Sequence, residues 1–190
     1  MSSVGRPTLP TAPHHPSSDP SSPPAQADLP PGDPDQVARL ICLRRLEAAP
    51  RTRSELARTL AERGVPDDSA KRVLDRFEEV GLVDDPLFAQ MWVQSRQSGR
   101  LLSRRALRHE LSRKGVDAET VAEALVQVSD DDERAAAVAL AQRKAASLSG
   151  LPMQVQVRRL AGMLARKGYS PGLSYEVVRE VLADADLEGG

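Results

Sequence analysis

Apolar residues return along this chain at helical spacing, and one short pattern of them occurs in three copies. The first helix is expected from Asp33. In DPDQVARLICLRRLEAA, Asp33 stands at a cap, Pro34 in the first turn, and Gln36 completes a capping-box spacing. Val37, Ala38, Ile41 and Arg45 fall on one face, with Leu40 and Leu43 beside them, and Pro50 stops the helix. Thr52 with Glu55 opens a second helix, Leu56 and Leu60 share its face, and Gly64 ends it. A third helix runs from Asp67 with Ala70, Val73, Leu74 and Phe77 at i, i+3, i+4, i+7, and Gly81 closes it.

Taking Gly64, Gly115 and Gly168 as origins superposes the rest. Leu56, Leu107 and Leu160 precede them at one offset, and Leu60, Leu111 and Leu164 at another. A basic residue stands just before each glycine (Arg63, Lys114, Lys167), and Val65, Val116 and Tyr169 stand just after. Ala70, Val73, Leu74 and Phe77 match Val121, Ala124, Leu125 and Val128, then Ser174, Val177, Val178 and Val181. Upstream, Val37 and Ile41 occupy the offsets of Phe88 and Trp92. A pattern kept three times is an internal repeat.

Each unit is then three helices: a longer first, a short second ending in basic-Gly, and a third with an acidic start. The central copies begin at Asp85–Pro86, Ser103 and Asp117, and the last at Ser129, after Pro152, and at Ser170–Pro171, tailing off beyond Leu182. The expected fold is all-α: an elongated, curved array of three tandem three-helix repeats, because units this small bury their faces only against neighbours. The expected divisions are repeat 1 over 33–81, repeat 2 over 82–128 and repeat 3 over 129–184, with a short tail over 185–190. Residues 1–32, rich in Pro and Ser, lack periodic apolar positions and are expected to form a disordered tail.

Composition narrows function mainly by exclusion. No run reaches the roughly 18 apolar residues of a membrane span, and the N-terminus has no apolar signal region. The single cysteine, Cys42, suits a reducing cytoplasm and reads as a small buried hydrophobe. His109 has no Cys or His beside it, so no metal site, cofactor or catalytic residue is expected, nor an enzyme. Asp84–Asp85 and the run Asp130 to Glu133 read as helix starts. Phe88 and Trp92, at i, i+4, read as core rather than as base-stacking platforms. Tyr169 and Tyr175 are placed at half-exposed positions.

The net charge of −1 hides an uneven distribution. Between Arg96 and Lys114 stand Arg96, Arg100, Arg104, Arg105, Arg108, Arg113 and Lys114 against Glu110 alone. Cations recur on the other second helices, at Arg53, Arg58 and Arg63 and at Arg158, Arg159, Arg166 and Lys167. Arg104 and Arg108, at i, i+4, can present guanidinium groups while Leu107 and Leu111 pack. Stacked units would align these residues into a stripe fit for a DNA backbone or an acidic protein surface.

The stretches CLRRLEAAPRTRSELARTLAERGV, GLVDDPLFAQMWVQSR, LSRRALRHELSRKGV and RRLAGMLARKGYS resemble the RecX family, bacterial regulators of the RecA recombinase. The resemblance spans roughly Val37 to Leu182, and the Arg- and Ala-rich usage looks like that of a high-GC bacterium. It implies three tandem three-helix repeats. It also implies binding to RecA and its filaments on single-stranded DNA, restraining recombinase, ATPase and co-protease activity in DNA repair. A monomer, with weak direct DNA contact, would fit. A stand-alone DNA-binding helical module and a helical adaptor for another acidic protein remain the alternatives.

Overall fold

The structure, a computed structural model, describes residues 32–188, with side chains to Asp184, so the N-terminal tail apart from Gly32 lies outside the described residues. Every regular element described is a helix: α1 (Pro34–Ala48), α2 (Arg53–Glu62), α3 (Asp67–Glu79), α4 (Asp85–Arg100), α5 (Arg104–Arg113), α6 (Ala118–Val126), α7 (Asp130–Ala145), α8 (Met153–Arg166) and α9 (Pro171–Glu188). They form three units in sequence order, α1–α3, α4–α6 and α7–α9, each closing its own core.

The repeat positions are the core positions. Leu56, Leu107 and Leu160, with Leu60, Leu111 and Leu164, are 0–1% exposed. Burying a leucine side chain contributes about 2 kcal/mol, so this pair on each second helix is a large share of what holds a small unit together. Val65, Val116 and Tyr169 close the same cores from just past the glycines. Tyr169 is therefore buried, not half-exposed, whereas Tyr175 lies in solvent.

In the first helices the deepest seats hold small residues. Ala38 and Cys42, Ala89 and Val93, and Ala137 and Ala141 are all 0% exposed, while Val37, Ile41 and Trp92 lie half-buried beside them. Small side chains there let the first helix approach the other two closely. Arg45, placed with this face by its spacing, is exposed.

Thr52 and Glu55 form a reciprocal capping box on α2, and Ser103 and Asp117 cap α5 and α6. Two starts differ from the pattern. Asp33 accepts from the Asp35 N–H at 3.0 Å, without a reciprocal bond from Gln36. The cap of α4 is Asp84, accepting from the Leu87 N–H at 2.8 Å, which leaves the Asp85 carboxylate for another unit. At the other end, α9 runs on to Glu188, beyond the last apolar position of its stripe.

Successive units join through their second helices, placed end to end. Thr52, at the start of α2, donates from Oγ1 to the Lys114 carbonyl at the end of α5 at 2.6 Å. One unit later the Ser103 N–H, at the start of α5, donates to the Lys167 carbonyl at the end of α8 at 3.2 Å. At each joint the electropositive N-terminus of one helix faces the electronegative C-terminus of the next.

The approach leaves no room for a side chain. A Cβ built on Gly115 would fall 2.1 Å from Ser54 Oγ, and one on Gly168 2.4 Å from Ser103 Oγ and 2.8 Å from Ala106 Cβ. Gly64, at the equivalent position of the first unit, has nothing within 4 Å. All three take positive φ, at 72°, 79° and 93°.

Gly64→Ala should therefore cost only the left-handed strain, about 1–2 kcal/mol. Gly115→Ala and Gly168→Ala should each lose about 1–3 kcal/mol more through overpacking of the joint. Urea unfolding followed by circular dichroism measures all three, and equal losses would mean that the glycines serve only their turns.

A candidate cationic interface

The two joints place most of the basic residues singled out in the sequence. Arg104, the first residue of α5, is bound into the second joint. Its N–H and Nε donate to the two Glu133 carboxylate oxygens at 3.0 and 2.9 Å, and its guanidinium also pairs with Asp130. Arg53 holds the equivalent place on α2, its N–H donating to Asp85 Oδ1 at 2.9 Å while its guanidinium pairs with Asp75 and Glu78. Asp85 and Glu133 are thus matching carboxylates on α4 and α7, each receiving the start of the preceding second helix. Burial holds the Asp85 carboxyl above the usual range despite the Arg53 N–H.

Lys114 and Arg96 surround the aromatic pair. Phe88 and Trp92 stack with centroids 5.6 Å apart. Lys114 Nζ lies 4.4 Å from the Trp92 centroid and 2.8 Å from Glu55 Oε1 in the preceding unit. The Arg96 guanidinium carbon lies 4.0 Å from the Trp92 centroid, and its Nε donates to Glu110 Oε2 at 3.3 Å. The Trp92 indole N–H donates to the same oxygen at 2.9 Å. Cations over a half-buried indole stabilise a fold by about 0.5–2 kcal/mol each.

Lys167 and Arg105 serve the second joint. Lys167 Nζ donates to the Arg100 carbonyl at 2.8 Å, and the Tyr169 hydroxyl to the Leu101 carbonyl at 2.9 Å. These bonds brace the end of α4, where Leu101 takes a left-handed conformation with φ 48°. Arg105 Nε donates to the Gly168 carbonyl at 3.1 Å, leaving its remaining N–H groups outward on an exposed side chain.

The rest of the predicted set is exposed. Arg100, Arg108, Arg113, Arg158, Arg159 and Arg166 make no hydrogen bond or ion pair through their side chains among the described residues. Arg58 on α2 and Arg63 just past its end are exposed in the same way. Second helices joined end to end therefore carry outward guanidinium groups in each unit, beside the cations that hold the joints. Sequence spacing does not separate the two kinds, because the carboxylates that engage Arg104 and Lys114 are 29 and 59 residues away.

Little else at the surface offers chemistry. His109 is exposed, and burial pushes the Cys42 thiol up to about 11, away from a reactive thiolate. Among the described residues no group of three His, Cys, Asp or Glu side chains could hold a metal ion. No described helix is long and apolar enough to cross a membrane.

Family models for RecX match the three units in turn: the first three-helix domain over residues 38–77, the second over 84–125 and the third over 131–182. The chain belongs to the RecX family. It is 49% identical to the regulatory protein RecX of Streptomyces coelicolor over 164 residues, covering 86% of this chain and 87% of that one. It is 52% identical to that of Thermobifida fusca over 151 residues, covering 80% and 82%. The crystal structure of RecX from Lactobacillus salivarius superposes with a TM-score of 0.71 at 21% identity, covering 78% of this chain and 97% of that one, a likeness of fold. Its relatives support a regulatory role for this RecX chain.

The Lys114–Glu55 bridge generates a pH prediction. Burial alone would raise the Glu55 carboxyl, but the Lys114 ammonium and the Thr52 N–H together hold it below its ordinary value. A lowered carboxyl contributes stability that is present above the ordinary value and is lost as pH falls through the lowered one. Lys114→Met should cost about 2 kcal/mol at neutral pH by removing a charge-assisted bond. It should also flatten the fall in stability on acidification below the ordinary glutamate value. Urea titrations across that acidic range compare the variant with the parent, and an unchanged slope would show that the bridge does not couple folding to pH.

Proposed function

We propose that this protein restrains the RecA recombinase by lying along RecA filaments formed on single-stranded DNA, with its second helices toward the filament. The observation that carries this reading is the set of outward arginines on second helices joined end to end, in a chain of the RecX family. Their guanidinium groups lack carboxylate partners among the described residues, so they are available to phosphate or to acidic side chains. Three linked units each contribute a weak contact, and linkage raises the effective concentration of the second and third once the first has bound. An array fixed across successive subunits would oppose the conformational cycle that accompanies ATP turnover, and with it strand exchange and co-protease activity. The action is non-enzymatic, as a monomer in the cytoplasm.

Within the cationic set, Arg104, Lys114, Arg96 and Lys167 serve the fold, and Arg113, Arg158, Arg159 and Arg166 on the second helices, with Arg100 at the end of α4, are the contact candidates outside the joints. A second reading, direct binding to bare single-stranded DNA, draws on the same arginines. It requires affinity that falls with a slope of about −0.7 per neutralised phosphate in log K against log salt.

Adding the protein to RecA, circular single-stranded DNA and ATP should slow ATP hydrolysis. The combined reversal Arg113→Glu, Arg158→Glu and Arg166→Glu should weaken that inhibition by about tenfold or more, equivalent to roughly 1.4 kcal/mol, with helix content unchanged. No slowing by the parent at several-fold excess would overturn the RecA reading. Full inhibition by the folded triple variant would remove this surface from it. Tight, salt-sensitive binding to bare DNA without an effect on ATP turnover would favour the second reading.

A further inference from the structure

The two joints each leave an open cleft on one side, and because the clefts occupy repeat-equivalent places, each is a control for the other. The first is lined by Arg53, Ser54 and Ala57 facing Asp84, Asp85 and Asp117. The second, about 650 Å³, is lined by Arg104, Arg105 and Arg108, with an aliphatic wall from Ala122, Leu125, Val126 and Leu173. Aligned on their glycines, Ser54 becomes Arg105, Ala57 becomes Arg108, and the lining acids Glu78 and Asp117 become Ser129 and Ser170. Asp75, which pairs with Arg53 outside that lining, becomes Val126.

The first joint is complete without these replacements, and in the second only Arg105 adds a bond across the joint, from one of its N–H groups to the Gly168 carbonyl. Both have the glycine contact, the matching carboxylate and the leading arginine. The second cleft has added two cations, removed two acids, and set a valine that is 81% exposed beside them. Arg104 is satisfied by Glu133 and Asp130, so the charge available to a ligand comes from Arg105 and Arg108. Two guanidinium groups without a carboxylate partner among the described residues, beside an aliphatic wall, offer a ligand both charge-assisted hydrogen bonds and apolar contact.

We infer that the cleft between the second and third units binds an acidic peptide segment of a partner protein, its carboxylates on Arg105 and Arg108 and an apolar side chain against Val126 and Leu173. Charge complementarity selects an acidic ligand. The aliphatic wall, with no aromatic side chain lining it, favours a peptide over a nucleic acid strand, which would use stacking platforms rather than aliphatic contact. The inference does not rest on the RecA reading, since it concerns a side cleft and is tested without recombinase or DNA.

The probe is a panel of short fluorescein-labelled peptides built from Asp, Glu and Leu in different registers, titrated with the full chain and read by fluorescence anisotropy. Saturable binding by at least one peptide is expected. Arg108→Glu and Val126→Asp should each weaken it by about tenfold, while Ala57→Asp in the first cleft should leave it unchanged. Both altered side chains in the second cleft are exposed, so the variants are expected to fold, and circular dichroism checks this. No saturable binding across the panel would overturn the proposal, as would loss in Arg108→Glu with none in Val126→Asp, which would mean charge attraction alone. Displacement of the peptide by oligothymidylate, with DNA binding itself lost in Val126→Asp, would reassign the cleft to nucleic acid. Displacement by a peptide copying residues 17–32 of this chain would reassign it to the chain's own N-terminal segment.

Discussion

The meeting of one second helix with the next governs the rest of the structure. Two helix ends of opposite partial charge are brought close enough for a side-chain hydroxyl or a backbone N–H to reach the last carbonyl of the neighbour. That closeness explains why glycine stands at 115 and 168 for two separate reasons. A left-handed residue is needed to end the helix, and a flat surface is needed for the incoming helix start. At Gly64 only the first reason applies, because a Cβ built there has nothing within 4 Å.

From this joint follows the division of the basic residues. A helix start pressed against a neighbouring unit needs its first N–H groups satisfied, and Asp85 and Glu133 supply the acceptors. Arg104 then closes on Glu133 with both backbone and side chain. Lys114 reaches back to Glu55 across the first joint and covers the Trp92 ring on its own side. The arginines farther along each second helix are exposed and make no hydrogen bond or ion pair through their side chains among the described residues. A run that looks uniform along the sequence therefore holds cations that stabilise the array and cations free to meet a partner.

The three units also show what a repeat can vary. Paired leucines on every second helix and small residues in the deepest seats of every first helix are constant, since they set the distance between helices. Among the described residues, the middle unit alone pairs stacked aromatics with cations, and it sits between two joints. The clefts beside the joints diverge most, from acidic at the first to cationic and aliphatic at the second.

Much of this fold was legible in the chain because its determinants are local. Helix starts at Thr52, Ser103 and Asp117, stops at Gly64, Gly115 and Gly168, and the leucine spacing all act within a few turns, and their recurrence disclosed the repeat. The family resemblance in the Gly81–Val116 stretch also reached the function class. What local pattern misread depends on distance in space. Asp85 looked like a cap and is a receptor for the preceding unit, and Tyr169 looked half-exposed and is buried. Ala38 was legible on the face it shares with Val37 and Ile41, but alanine carries too weak an apolar signal to reveal that Ala89 and Ala137 are among the deepest seats. Which arginines are free was decided only by tertiary structure, because a guanidinium is engaged or available according to carboxylates that folding brings from far along the chain.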